Sequence, residues 1–172
     1  MKFGKSIPII AALIFLTAYD RPASDTVNQA NDSPLPPEVA DQTILIVEIT
    51  PGLSMRILKE GTGDTAENGQ IAIVHYTGWL YDETAKNNRG DKFDSSVDRD
   101  QYFSFMLGAR RVIRGWDQGV VGMKVGETRE LTIASDMAYG ERGAGNVIAS
   151  GATLVFEIEL VALQDVESAT PE

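Results

Sequence analysis

Residues Thr153–Leu163 alternate, and that alternation constrains the fold more than any other stretch of the chain. Leu154, Phe156, Ile158 and Leu160 face one way, while Glu157 and Glu159 face the other. Successive side chains leave a strand on opposite faces, so the segment is suited to a sheet with one apolar and one wet face, the usual condition of antiparallel pairing. Phe103, Phe105 and Leu107 repeat the device within Tyr102–Leu107. Further strands are predicted at Leu53–Lys59, Gln70–Leu80 and Thr128–Ala134, with turns such as Pro51-Gly52 between them. The β-branched run Thr43–Ile49 predicts an extra strand, and its unbroken apolar character predicts burial over one edge of the domain. Between Arg114 and Gly122 the period changes: Trp116 and Val120 sit four apart, which predicts one short helix. Residues 53–163 thus read as an α+β domain, an antiparallel sheet covering a single helix.

Composition removes whole classes of chemistry. A formal net charge of −10 over 172 residues argues against a nucleic-acid partner, since phosphate binding needs clustered Lys and Arg. There are no cysteines, so disulfides, zinc-thiolate sites and thiol catalysis are excluded. The single histidine, His75, rules out a multi-histidine metal site. It shares a strand face with Ile71 and Ile73, opposite Ala72, Val74 and Tyr76, and so points away from a pocket on the second face. Hydrolysis by a His-activated serine falls with it. Asp91, Asp94, Asp98 and Asp100 lack the spacing and distal Glu of a calcium loop, and no other feature supports a paired-carboxylate glycosidase. Neither a metal nor a cofactor is expected.

The N-terminus has a separate logic. Lys2 and Lys5 precede the apolar run Ile7–Leu16 and the small residues Thr17 and Ala18, which together describe a bacterial-type secretory signal over residues 1–18, cleaved or kept as an anchor. Leu16-Thr17-Ala18 resembles the approach to a lipoprotein cleavage site, but Tyr19 stands where the lipid-bearing Cys is needed. A periplasmic or otherwise exported location is expected. Residues 19–42, with Pro34, Pro36 and Pro37, predict a flexible linker. The folded domain then spans 43–165, and 166–172 form a disordered tail.

The densest chemical text is Phe93-Asp94-Ser95-Ser96 followed by Val112-Ile113-Arg114-Gly115-Trp116-Asp117. It offers aromatic lining and one carboxylate, which Arg99 or Tyr76 would satisfy, but no obvious nucleophile. That inventory suits a reaction in which no covalent bond is made or broken.

These blocks, together with Val74-His75-Tyr76-Thr77-Gly78, Phe105-Met106-Leu107-Gly108, Ala138-Tyr139-Gly140 and Ala152-Thr153-Leu154-Val155-Phe156, resemble in order and spacing the FKBP-type peptidyl-prolyl cis-trans isomerases. The resemblance covers residues ~53–163. It implies a curved antiparallel sheet of five to six strands wrapped around one short α-helix, and isomerase activity on proline-containing polypeptides. Trp116 would be the floor beneath the proline ring, with Tyr76, Phe93, Phe103, Val112, Ile113 and Phe156 as walls. Asp94 would be the polar group in the wall. The Ile113 N–H and Tyr139 hydroxyl would hold substrate carbonyls, Arg99 would support the site, and Ile148 would cap the proline. Macrolide immunosuppressants are the implied small-molecule ligands.

Two departures stand out. Family members often carry a Pro-Pro pair before the last strand, where this chain has Ala149 and Ser150 among Gly143, Gly145 and Gly151; a looser loop is expected. A longer connection, Tyr81–Asp91, either encloses substrate or forms a solvated insertion. The short proline-rich linker predicts a monomer. A non-catalytic chaperone or partner-binding module using the same pocket is the alternative function.

Overall fold

β-Branched and aromatic residues at alternate positions draw residues 45–166 into seven strands. The structure, a computed structural model, describes residues 45–166; residues 1–44 and 167–172, on which the expected signal and linker and most of the expected tail fall, lie outside them. The strands are β1 (Val47–Thr50), β2 (Leu53–Lys59), β3 (Ile71–Tyr81), β4 (Arg89–Ser95), β5 (Phe103–Met106), β6 (Thr128–Ile133) and β7 (Leu154–Gln164). Among the described residues the single α-helix, α1, is Arg114–Gly119. All pairings are antiparallel, in the order β1-β2-β6-β7-β3-β4, with β5 also on β3.

β3 organises the sheet. One of its edges pairs with β7 from Ile71↔Gln164 to Leu80↔Leu154. The other edge is divided: Ile71–Val74 pair with β5, and Thr77–Tyr81 with β4. His75 and Tyr76 fall in the break. There the Ser96 N–H donates to Tyr76 O at 3.0 Å, and Ser96 Oγ accepts the Tyr76 N–H at 2.8 Å.

Five of the predicted strands and the helix are present, and β4 makes the sheet one strand larger than expected. In Arg-Gly-Asp-Lys-Phe-Asp-Ser only Phe93 is apolar, so no alternation announces a strand; charged residues suit a sheet edge. The Tyr81–Asp91 connection is the end of the β3–β4 hairpin. Its tip turns on Asp82, whose Oδ1 accepts the N–H and hydroxyl of Thr84 at 2.8 and 2.7 Å. On the outer face Arg89 lies 4.5 Å over the Trp79 ring and donates to Glu130 (Nε, 2.9 Å) and Glu157 (Nη2, 2.7 Å). Arg56 Nε stands 2.6 Å from the other Glu130 oxygen, an ionic contact outside good hydrogen-bonding geometry. This network ties the hairpin across β2, β6 and β7.

The expectation of burial for residues 43–49 is corrected over 45–49, Thr43 and Ile44 lying outside the described residues. β1 begins at Val47 and is an edge strand paired only with β2. Leu45 and Ile46 before it are 73% and 69% exposed, and Val47 and Ile49 are also exposed. Among the described residues no layer covers this edge, so the run reflects strand propensity and not burial.

Inside the sheet, Ala72, Val74, Leu131, Ile133, Leu154, Ile158 and Leu160 pack around Trp116 and Val120. The helix approaches closely because it carries glycines on that side: a Cβ on Gly115 would lie 2.5 Å from Ile133 Cγ2, and one on Gly119 2.5 Å from Leu131 Cδ1. Buried Arg129 draws the helix end inward, donating to Gly119 O at 2.8 Å and to Glu127 Oε1 at 2.7 Å. A cation at a helix C-terminus is favourable. Gly119→Ala is therefore expected to destabilise by about 1–3 kcal/mol through overpacking, although Ala is otherwise the better helix former. Urea denaturation checks this; an unchanged or raised midpoint would contradict the close approach.

Candidate functional site

The break in β3 opens into a cleft of about 1460 Å³. Alternation turns Tyr76 inward from β3, while Phe93 and Asp94 come from β4, Phe103 from β5 and Phe156 from β7. Trp116 rises from the first turn of α1, with Val112 and Ile113 just before it. Ala138 and Tyr139 come from the loop after β6.

The aromatic rings meet edge to face. Tyr76–Trp116 centroids are 5.1 Å apart at 84°, Trp116–Phe156 5.3 Å at 86°, Phe93–Phe156 5.5 Å at 87°, and Phe103–Trp116 5.9 Å at 81°. Such geometry places positive ring edges on negative faces. Gly78 lets the wall close, since a Cβ there would stand 2.7 Å from Phe93 Cζ and 2.8 Å from Phe156 Cε1. Trp116 is only 4% exposed, and its buried indole N–H has no hydrogen-bond acceptor among the described residues.

Both candidate partners serve Asp94. The Tyr76 hydroxyl donates to Oδ2 and Arg99 donates to Oδ1, while the Ser95 N–H donates to Oδ1 at 2.9 Å. Arg99 Nη2 also donates to the Tyr76 hydroxyl oxygen at 3.2 Å. Partial burial alone would raise the Asp94 carboxyl, but these hydrogen bonds and the guanidinium charge outweigh it and hold the group below the usual carboxylate value. Burial, followed by the bond to Asp94, raises the Tyr76 phenol. Tyr139 is raised by burial and then by the Asp94 charge, so its hydroxyl is a donor at neutral pH. Among the described residues that hydroxyl has no protein partner, and neither has the Ile113 N–H. Ile113 is the extended residue capping α1, with φ −60° and ψ 150°.

Tyr76, Phe93, Asp94, Phe103, Val112, Ile113, Trp116, Tyr139 and Phe156 thus share one cleft. Two predicted residues do not line it. Arg99 stands behind Asp94, its fork engaged with that carboxylate and the Tyr76 oxygen. Ile148 is buried in the core, because its backbone pairs both ways with Ala144 (2.9 and 3.1 Å) and turns Val147 out instead. His75 faces away, its Nδ1 2.9 Å from Ser96 Oγ and its ring 4.3 Å from Tyr102. Asp98 pairs with Lys92. The hairpin tip, Asp82–Asn88, lines none of the cleft.

Other lining residues went unforeseen. Asp117 holds the segment ahead of α1 by accepting the N–H of Gly108 (3.2 Å) and of Arg110 (2.8 Å). Arg110, Arg111 and Arg114 line the rim, and Ile49 reaches the cleft from β1. The charge of the arginines is plain in sequence, but their place depends on long-range folding.

The sequence profile of the FKBP-type peptidyl-prolyl cis-trans isomerases matches residues 63–161. The chain is 50% identical over 113 residues to FK506-binding protein 2B of Rhizopus delemar, an alignment covering 66% of this chain and 51% of that one. It therefore spans about half the length of that curated relative. It is 51% identical to the FK506-binding protein of Neisseria meningitidis serogroup B, covering 64% of this chain and 94% of the relative. The crystal structure of FkpA from Escherichia coli superposes with a TM-score of 0.61 at 30% identity, covering 71% of this chain and 53% of that one.

The lowered Asp94 carboxyl makes a signed prediction. Its contribution to stability is present above the ordinary carboxylate value, about 4, and is lost as pH falls through the lower folded-state value. Asp94→Asn should melt below wild type by a constant margin from pH 7 to about 5, narrowing as pH falls toward 3. A margin unchanged at pH 3 would show that the ionised carboxylate is not its source.

Proposed function

The chain belongs to the FKBP-type peptidyl-prolyl cis-trans isomerase family, and from that premise we propose that it accelerates rotation of Xaa-Pro bonds in polypeptides by desolvation and carbonyl clamping, without covalent chemistry. One observation carries this reading: a cleft with an aromatic wall presents two hydrogen-bond donors without a partner among the described residues, the Ile113 N–H and the Tyr139 hydroxyl, beside a carboxylate already engaged by Tyr76 and Arg99.

Amide resonance resists rotation with a barrier of ~18–20 kcal/mol. The twisted transition state has lost that resonance, so its carbonyl is less dipolar and its nitrogen more pyramidal. A dry aromatic wall therefore disfavours the planar ground state more than the twisted state. The proline ring rests on Trp116, and Tyr139 and Ile113 hold carbonyls so that the chain turns about one bond. Asp94 is a positioning group that fixes Tyr76, its lone pairs being engaged. A thousandfold acceleration requires only about 4 kcal/mol, within reach of binding and desolvation.

The relatives' names refer to FK506, and a macrolide of that kind is the small-molecule ligand we assign to the same cleft. We also assign the activity to the folding of exported polypeptides, on the charge and apolar run of residues 1–18, and take the mature chain to be a monomer. Uncatalysed isomerisation takes tens of seconds, slow enough to limit folding. Protein recovered from its native host should lack the signal or fractionate with membrane or periplasm, and should sediment as one chain; intact Met1 in cytosol would refute export.

The activity itself is tested on Xaa-Pro peptides. Wild type should accelerate isomerisation, and Tyr139→Phe should lose about tenfold in kcat/KM, the worth of one hydrogen bond. Asp94→Val should lose at least as much. Wild type that suppresses aggregation yet gives no acceleration over buffer would make the domain a binding module instead.

A further inference from the structure

The charged side chains lining the cleft, three arginines against Asp94 and Asp117, are positive on balance, although the chain carries a net charge of −10. Arg110, Arg111 and Arg114 are exposed and line the rim. Among the described residues Arg110 and Arg111 form no ion pair. Arg114 donates to the Asp136 carbonyl, and its guanidinium lies 3.9 Å from the Asp136 carboxylate, with both side chains largely exposed. Of the two carboxylates that line the cleft, only Asp94 is paired with a cation, and Asp117 offsets one of the arginine charges. Asp94 is held by Tyr76 and Arg99, and Asp117 accepts the N–H groups of Gly108 and Arg110.

The position of this charge matters as much as its sign. The Asp117 bond fixes Arg110 in a left-handed turn, φ 57°. Arg111 and Arg114 then flank Val112-Ile113, whose Ile113 N–H is the proposed carbonyl clamp. Consecutive Cα atoms are about 3.8 Å apart, so long cationic side chains one and two residues from the clamp reach the substrate residues beside the proline. Resting on the isomerase function above, we propose that this arginine rim selects polypeptide segments that carry Asp or Glu within two residues of the proline.

Exposed ion pairs are individually weak, each giving about a 1.5- to 5-fold preference. Two or three acting together should favour an acidic over a basic flank by about three- to tenfold at low salt, and screening should bring the ratio toward one in molar salt. The test uses three Xaa-Pro peptides identical except for Ala, Glu or Lys two residues before the proline, with both kcat/KM and calorimetric affinity measured. The expected order is Glu, then Ala, then Lys. Arg111→Glu should reverse the Glu-to-Lys ratio, and Arg110→Gln/Arg111→Gln should collapse it; a general loss of folding would scale both peptides alike. Equal affinity of the Glu and Lys peptides for wild type at low salt would overturn the selectivity. Peptides bound in the expected order but not isomerised would uphold it while refuting the catalytic function.

Discussion

The site depends on how β3 uses its two hydrogen-bonding edges. One edge is committed to β7 along ten residue pairs. The other is shared, with β5 at one end and β4 at the other, and the chain must cross between them opposite His75 and Tyr76. Backbone groups exposed at such a break need partners, and Ser96 supplies them through its N–H and Oγ. The crossover that brings Ser96 there also brings Asp94 and Arg99 to the Tyr76 hydroxyl. His75, on the opposite face, meets the same serine and packs at a tilt against Tyr102, so the lone histidine supports the crossover instead of the chemistry.

Charge is handled differently on the two faces of the sheet. On the outer face Glu130 is buried by Arg56 and Arg89, and the network holds strands together. At the cleft the Asp94 carboxylate is neutralised from behind by Arg99, beside the aromatic wall formed by Tyr76, Phe93, Trp116 and Phe156. A carboxylate facing an apolar lining without that pairing would be costly. Its pairing lets a polar group sit in an aromatic wall without that cost.

What the sequence reveals follows from the range of the forces involved. Alternation is local, so Leu154 to Leu160 and Phe103 to Leu107 announce their strands, and Trp116 with Val120 announces the helix. β4 is silent because an edge strand with one apolar residue needs no alternation, and β1 misleads because a β-branched run fits an exposed edge as well as a buried centre. The aromatic wall is legible through its resemblance to a known family. The arginine rim and the Ile49 contact are not, since both depend on where distant segments dock. Ile148 shows the same limit at the scale of two residues: Val147 and Ile148 are equally apolar, and only the Ala144 pairing decides which one turns inward.

The loop beside the cleft shows how the chain manages without prolines at Ala149 and Ser150. Proline orders a loop chiefly by restricting the unfolded chain, whereas this loop relies on bonds made in the folded state. Ala144 and Ile148 pair their backbones, the Gly151 N–H donates to Gly140 O at 3.1 Å, and Ser150 Oγ donates to Glu141 Oε2 at 2.9 Å. Gly143 makes the tight path possible: its φ is 62°, and any Cβ would collide with the Ile148 carbonyl. Bonds exposed to solvent open locally at lower free energy than a packed core does. The segment following Tyr139, which lines none of the cleft itself, is therefore ordered by hydrogen bonds and not by chain stiffness. The loop beside Tyr139 can thus yield, while Trp116 and the β3 wall remain fixed by the core.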